Sequence, residues 1–261
     1  MSSLDFIIEL FCRVDTRLAH LPKHPQAHLY PGEIVTLAIL RSIKGVSDRA
    51  FYRWVVRDYA KLFPKLPERS RLMRLFKLYG HYSQELLAEP TILGVADSYG
   101  IELLHPVRED RTPNQIGKKG LSNHRWIVGA KCCYILNQWG RIVAWESATD
   151  NVSDTKLTAM IREFEEEMIV LTDTGFHARI DDPTNLKVCK RGEWNERMMV
   201  ETMWSMLTTV FHTKKMLQRR WPYLQARLAF TAAAFNILVD WNGLVADEHG
   251  KTHLSIAQFG L

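Results

Sequence analysis

Two short apolar runs, each ending on an aspartate, constrain this chain more than any other feature. Residues 91–98 read TILGVADS and carry Asp97, while residues 168–172 read MIVLT and are followed at once by Asp173 in DTGF. Their length and their share of β-branched residues mark both as strands. Between them lie two further strands, 126–136 and 141–146, joined by the turn NQWG. A helical stretch over 153–167 comes next, with Ser153 as its cap. Three strands in succession fit an antiparallel meander, and a strand reached through a helix runs parallel to the first. If that later strand pairs directly with the first, the strand ends bearing Asp97 and Asp173 become neighbours at a sheet edge. A short strand at 186–189 and two long helices, 194–217 and 222–244, complete a mixed α/β region over residues 91–261.

Residues 1–90 carry a different pattern, helical throughout. Leu4, Ile7, Ile8, Leu10, Phe11 and Val14 recur at helical spacing. After a loop with Pro22 and Pro25, Pro31 stands where a proline opens a helix, and Gly45 ends the apolar helix 33–43. Ser47 and Asp48 can cap the next helix, 49–62, where Arg49, Arg53 and Arg57 fall at every fourth position and share one face. Arg69, Arg71, Arg74 and Lys77 make a further basic helix. The helix pair about Gly45 has the size and turn chemistry of a helix-turn-helix. Two readings stand side by side for this region. One is a helical bundle with solvated arginines; the other is a DNA-binding or dimerising unit with Arg49, Arg53 and Arg57 towards phosphates.

The charge balance suits a polyanionic partner. Lys and Arg total 34 against 29 acids, a formal +5 with a pI near 9.0. The four cysteines, Cys12, Cys132, Cys133 and Cys189, form no CxxC pair and read as small core residues in a reducing compartment. The ten histidines show no HExxH spacing. Neither a membrane-length apolar run nor a secretory pattern is present, so the expected location is cytoplasmic.

A third acid, Glu201, lies in NERMMVETMW, a stretch with helical spacing. Arg197 and Glu201 are i, i+4 and share a helix face, so the acid can reach a metal while the arginine reaches a phosphate beside it; the plainer reading is a surface ion pair. Three carboxylates converging in space would hold divalent cations, because Mg²⁺ takes oxygen ligands in octahedral geometry. Two such ions clamp the attacking and leaving oxygens of a phosphodiester. Glu193, Glu196, Asp181, Asp182 and Glu102 are competing acids, and Glu201 is preferred for its register with Arg197.

At these residues the chain resembles the bacterial insertion-sequence DDE transposases of the compact kind, whose catalytic domain has a ribonuclease-H-like fold. VADSYG matches the family's first-Asp block, and VLTDTGF matches the second. Trp194, Arg197 and Glu201 fall on the first three positions of the family pattern Tyr-x2-Arg-x3-Glu-x6-Lys. Trp194 replaces the tyrosine, and Thr208 stands where the family has lysine, with Lys214 and Lys215 further along. The resemblance implies a ribonuclease-H-like mixed sheet flanked by helices. It implies that Asp97, Asp173 and Glu201 hold two Mg²⁺ ions, for which Mn²⁺ can substitute. It also implies cleavage at the ends of an insertion sequence, joining of the freed 3′-hydroxyl to target DNA, and a homodimer assembled on double-stranded DNA.

Residues 105–125 read as a basic loop in which Lys118, Lys119 and Arg125, with two glycines among them, can line a phosphate chain. Its bland counterpart is an ordinary charged surface loop. Trp194 and Trp126 can stack on an unpaired base or serve as core aromatics. Two rivals to the transposase reading remain open: a nuclease on the same fold that never joins DNA, and a transposase-derived DNA-binding protein without catalysis.

Overall fold

The computed structural model describes residues 1–122, 125–178, 180–189, 197–243 and 254–260, with only the backbone of Arg197. The chain is mixed α/β. Four helices come first: α1 (Ser3–Leu18), α2 (Pro31–Lys44), α3 (Asp48–Asp58) and α4 (Arg69–Leu78). Ser2 and Asp5 cap α1 reciprocally, Pro31 occupies the first turn of α2, and Gly45 ends α2 at φ 63°. Ser47 caps α3 by accepting from Ala50 N.

Strands β1 (Leu93–Leu104), β2 (Lys118–Ser122), β3 (Arg125–Asn137) and β4 (Ile142–Thr149) follow, then the short helix α5 (Thr158–Arg162), β5 (Ile169–Thr172) and β6 (Leu186–Val188). The last two helices are α6 (Arg197–Val210) and α7 (Trp221–Asn242). The sheet order is β2-β3-β1-β5-β6, with β4 also on β3. β3 is long enough to take β2 along its first half and β4 along its second, while β1 runs antiparallel along its other edge. β5 pairs parallel to β1, with Leu93 opposite Ile169 and Val95 opposite Leu171, as the helical crossover requires.

Both sheet faces are covered. Ala96, Cys133, Ile135, Met160, Ile161 and Phe176 form the core beneath α5. On the other face Val95, Tyr134, Leu136, Leu171, Val200 and Trp204 join one apolar cluster with α7 and the first four helices. α7 is buried nearly all round, which identifies it as a central helix, packed on α2, α4, β4 and the 3₁₀ segment Gly80–Leu86. No described helix is long and apolar enough to cross a membrane. Two buried polar residues lock α7. Asn236 accepts from Ile142 N at 2.8 Å and donates to Ile142 O and Leu86 O at 2.8 and 3.1 Å. Arg227 donates to the carbonyls of Arg41, Ser42 and Phe211, offering positive charge where α2 leaves its last acceptors. Burial pushes the Arg227 guanidinium well below its ordinary pKa, and Arg41 nearby adds to this.

Several expectations need correction. β1 does not stop at residue 98; Ile101, Glu102 and Leu104 pair on along β3, and Ile101 and Leu103 are buried, so Asp97 lies inside a strand. Residues 105–125 are not all loop, because 118–122 form an edge strand against the start of β3. The helix expected over 153–167 shrinks to a 3₁₀ turn at Asp154–Lys156 and the five residues of α5. There Asn185 donates to the Ile161 carbonyl, and four glutamates follow within 163–167. α3 ends at Asp58, where Tyr59 turns its ring edge-on against Trp54. α6 ends at Val210 rather than 217. Thr208 and Thr209 both bond back to Ser205 O, and His212 adopts a left-handed conformation that returns Thr213 N to Leu207 O. Lys214 and Lys215 are therefore off the helix.

Candidate active site

The parallel register decides where the acids meet. Val95 lies opposite Leu171, so Asp97 and Asp173 each stand two residues further on, at equivalent positions of adjacent chains. β5 ends at Thr172, which leaves Asp97 beside the open end of that strand. Asp97 Oδ1 accepts from Ser98 N at 2.7 Å, and Asp173 Oδ1 accepts from Gly175 N at 2.8 Å, which caps the turn Thr174–Phe176. Both carboxylates are half-buried.

Asp154 joins them, a residue the sequence reading passed over as part of a helix start. Its Oδ1 accepts from Ser98 Oγ at 2.7 Å and pairs with Lys131 Nζ at 3.0 Å. Its other oxygen lies against Gly175, in the turn that carries Asp173. A Cβ built on Gly175 would lie 3.0 Å from Asp173 Oδ1 and 3.3 Å from Asp154 Oδ2, so the glycine lets both carboxylates close on this turn. These groups are carboxylate oxygens, the ligand type of hard divalent cations. Among the described residues no group of three His, Cys, Asp or Glu is arranged to hold a metal ion.

Glu201 enters from α6. Trp204 stacks on Tyr99, ring centroids 4.9 Å apart, and also packs on Tyr134, the cross-strand partner of Asp97. Further along, Lys214 and Met216 bond to the backbone of Glu102 in β1, whereas Met199 reaches Gly140, at the turn beside the other end of β1. α6 thus runs alongside β1 in the same sense. Glu201, one turn before Trp204, stands towards the Asp97 end, exposed on the helix. Arg197 is the first residue of α6, and Trp194, Glu193 and Glu196 lie outside the described residues.

The remaining candidates divide. Glu102 is nearly buried and holds Arg125 at 3.0 Å and Lys215 at 3.2 Å, so Arg125 is already neutralised. Lys118 is exposed on the edge strand; Lys119 lies 3.9 Å from Glu109 and over the ring of Trp126, which is itself 57% exposed. Arg49 and Arg53 are exposed on α3, whereas Arg57 is held by Asp58 through two bonds of 2.7 Å. His177 is paired with Asp182.

Behind the acids sits Asp150, only 4% exposed, with no hydrogen-bond donor to either carboxylate oxygen among the described residues. It fits because Gly100 and Gly120 face it: a Cβ on Gly100 would come within 2.8 Å of Oδ1, and one on Gly120 would overlap Oδ2. Burial pushes its pKa up to about 6; Lys131 opposes the rise and Asp154 adds to it. Burial also raises the Cys132 thiol to about 12, which keeps it an inert core residue. No protein-family profile matches the chain, and no curated protein matches it.

Proposed function

We propose that this chain is a DDE-type transposase on a ribonuclease-H-like catalytic domain, cutting the ends of an insertion sequence and joining them to target DNA. The observation that carries the reading is the β1–β5 register, which sets Asp97 and Asp173 side by side although they lie far apart in sequence. An antiparallel arrangement of β1, β3 and β4, followed by a parallel strand next to β1, supports the fold expectation. The course of α6 along β1 supports Glu201 as the third acid.

Asp97, Asp173 and Glu201 would hold two Mg²⁺ or Mn²⁺ ions, whose chemistry when bound is to neutralise and polarise a phosphodiester. Ser98 and Lys131 hold Asp154 against the turn that carries Asp173, fixing both acid-bearing segments relative to each other. Trp204, laid over Tyr99 and Tyr134, fixes α6 against the stretch of sheet that carries Asp97. Lys118, exposed on the edge strand, would offer charge to flanking phosphates. Water attacks first and frees a 3′-hydroxyl; that hydroxyl then attacks target DNA, with an alkoxide leaving at each step. No residue need become covalently attached, and two chains would hold the two ends together.

The test is incubation with the element's own ends, Mg²⁺ and a target plasmid, beside Asp173→Asn. The expected result is metal-dependent end cleavage with joined product, lost in the variant. Cleavage without joining would replace the reading with a nuclease. DNA binding without cleavage in either protein would replace it with a non-catalytic DNA-binding protein.

A further inference from the structure

A second concentration of charge, apart from the acid site, lies at the far end of β1. After α6 the chain runs through residues 211–220 before α7 begins. Glu102 fixes this segment to β1, donating its N–H to Lys214 O at 3.2 Å and accepting from Met216 N at 2.9 Å. A cleft opens on each side of it. One, about 900 Å³, lies against residues 103–117; the other, about 710 Å³, lies against the α2–α3 turn and the start of α4. Gln218, Arg219 and Arg220 line both clefts, so the two adjoin across these residues and together make the trough.

Six arginines from separate parts of the chain face into it: Arg108 and Arg111 on one wall, Arg49 and Arg69 on the other, Arg219 and Arg220 between them. Among the described residues none of the six has a carboxylate partner, and Arg219 makes one bond of 3.4 Å to Leu103 O. The trough's other cations are already engaged: Arg41 with Asp48, Lys215 with Glu102, and Arg227 with buried carbonyls. Among the described residues, Asp48 is the one acid in the lining.

We propose that this trough binds the phosphate backbone of duplex DNA, at a place separate from the cleavage site. Arginine presents a planar fork that matches two phosphate oxygens at once, and unpaired guanidinium groups gain most from such a partner. Two adjoining concave clefts suit a rod-like polyanion laid across their shared wall better than a flat bilayer surface. Leu104, in its wall, is seven residues beyond Asp97 on one strand, ~23 Å at ~3.3 Å per residue. At ~3.4 Å per base pair that is about seven base pairs of duplex. The distance from the cut rests on the transposase reading; binding in the trough does not.

Fluorescence anisotropy with a labelled 30-base-pair duplex over a salt series tests this. Arg219→Glu/Arg220→Glu and, separately, Arg108→Glu/Arg111→Glu are compared with wild type. Lys61→Glu/Lys65→Glu, exposed and outside the trough, controls for net charge. Each trough pair should weaken binding at least ~10-fold at moderate salt and lower the slope of log K against log[salt] by about 2, at ~0.9 per phosphate contact. The control pair should keep the wild-type slope. Unchanged slopes in both trough pairs, or equal loss in the control, would overturn the proposal. Competition by polyglutamate as strong as by unlabelled duplex would overturn it in favour of an acidic protein partner. Wild-type protein that binds duplex here and cleaves nothing sinks the transposase reading and leaves the trough standing.

Discussion

The two ends of β1 carry opposite chemistry. Near its start Asp97 stands level with Asp173 across the end of β5, and Asp154 lies against the turn that carries Asp173. Towards its end Glu102 is already taken by Arg125 and Lys215, and beyond it arginines with no carboxylate partner among the described residues line a trough. Carboxylates repel a phosphate backbone unless cations come with it, whereas the arginines attract one unaided. On the proposed reading, one strand would keep grip and chemistry apart, with DNA held at one end and cations required at the other.

The sharpest way to break that division is at the acid end. Asp97→Asn or Asp173→Asn should lower DNA cleavage by ~10³-fold or more while leaving duplex affinity at the wild-type value. A parallel loss of affinity, measured on the same samples, would show that grip and chemistry share residues. At the other end, Arg219→Glu/Arg220→Glu should lose binding ~10-fold or more at moderate salt, yet recover much of the cleavage rate at low salt and high protein concentration. Failure to recover would mean that these arginines act in the chemical step.

Smaller effects come from the residues behind the acids. Asp154→Ala removes the partner of Ser98 and Lys131 and should raise the Mg²⁺ concentration for half-maximal cleavage about tenfold, with most of the maximal rate regained at saturation. Asp154→Asn, which still accepts from Ser98, should fall between; a lowered maximal rate at unchanged Mg²⁺ dependence would count against a positioning role. Asp150 is expected to act on stability alone. Its folded pKa, about 6, lies above the ordinary carboxylate value, so its contribution is fully present below about pH 4 and is lost as pH rises through about 6. Asp150→Asn should therefore stabilise the protein by ~1–3 kcal/mol at pH 8 and by little at pH 4, read from urea unfolding at both values. Equal effects at the two pH values would mean that the buried charge is not the cause.

How far the sequence could be read depended on where each residue's partner lies. α1, α2 and α7 were legible because one element's own apolar spacing, caps and prolines define them. The nearness of Asp97 and Asp173 was legible as well, since the helical crossover leaves the later strand parallel to the first. What escaped needs a distant partner. Ile101 and Leu103 extend β1 only because β3 lies alongside, and Lys118–Ser122 becomes a strand only on the edge of that same β3. Asp154 reads locally as a helix-start acid; its role comes from Ser98 and Lys131, which the fold brings to it. Arg219 and Arg220 stand out as adjacent cations before a proline, but the cleft on either side of them belongs to four other parts of the chain.

The central claim is that Asp97 and Asp173 serve one site. A double-variant comparison of DNA cleavage by Asp97→Asn, Asp173→Asn and the pair tests it most directly. If the two carboxylates work as a unit, the pair will cleave no more slowly than the worse single variant. Losses that multiply would contradict the claim and separate the two aspartates functionally.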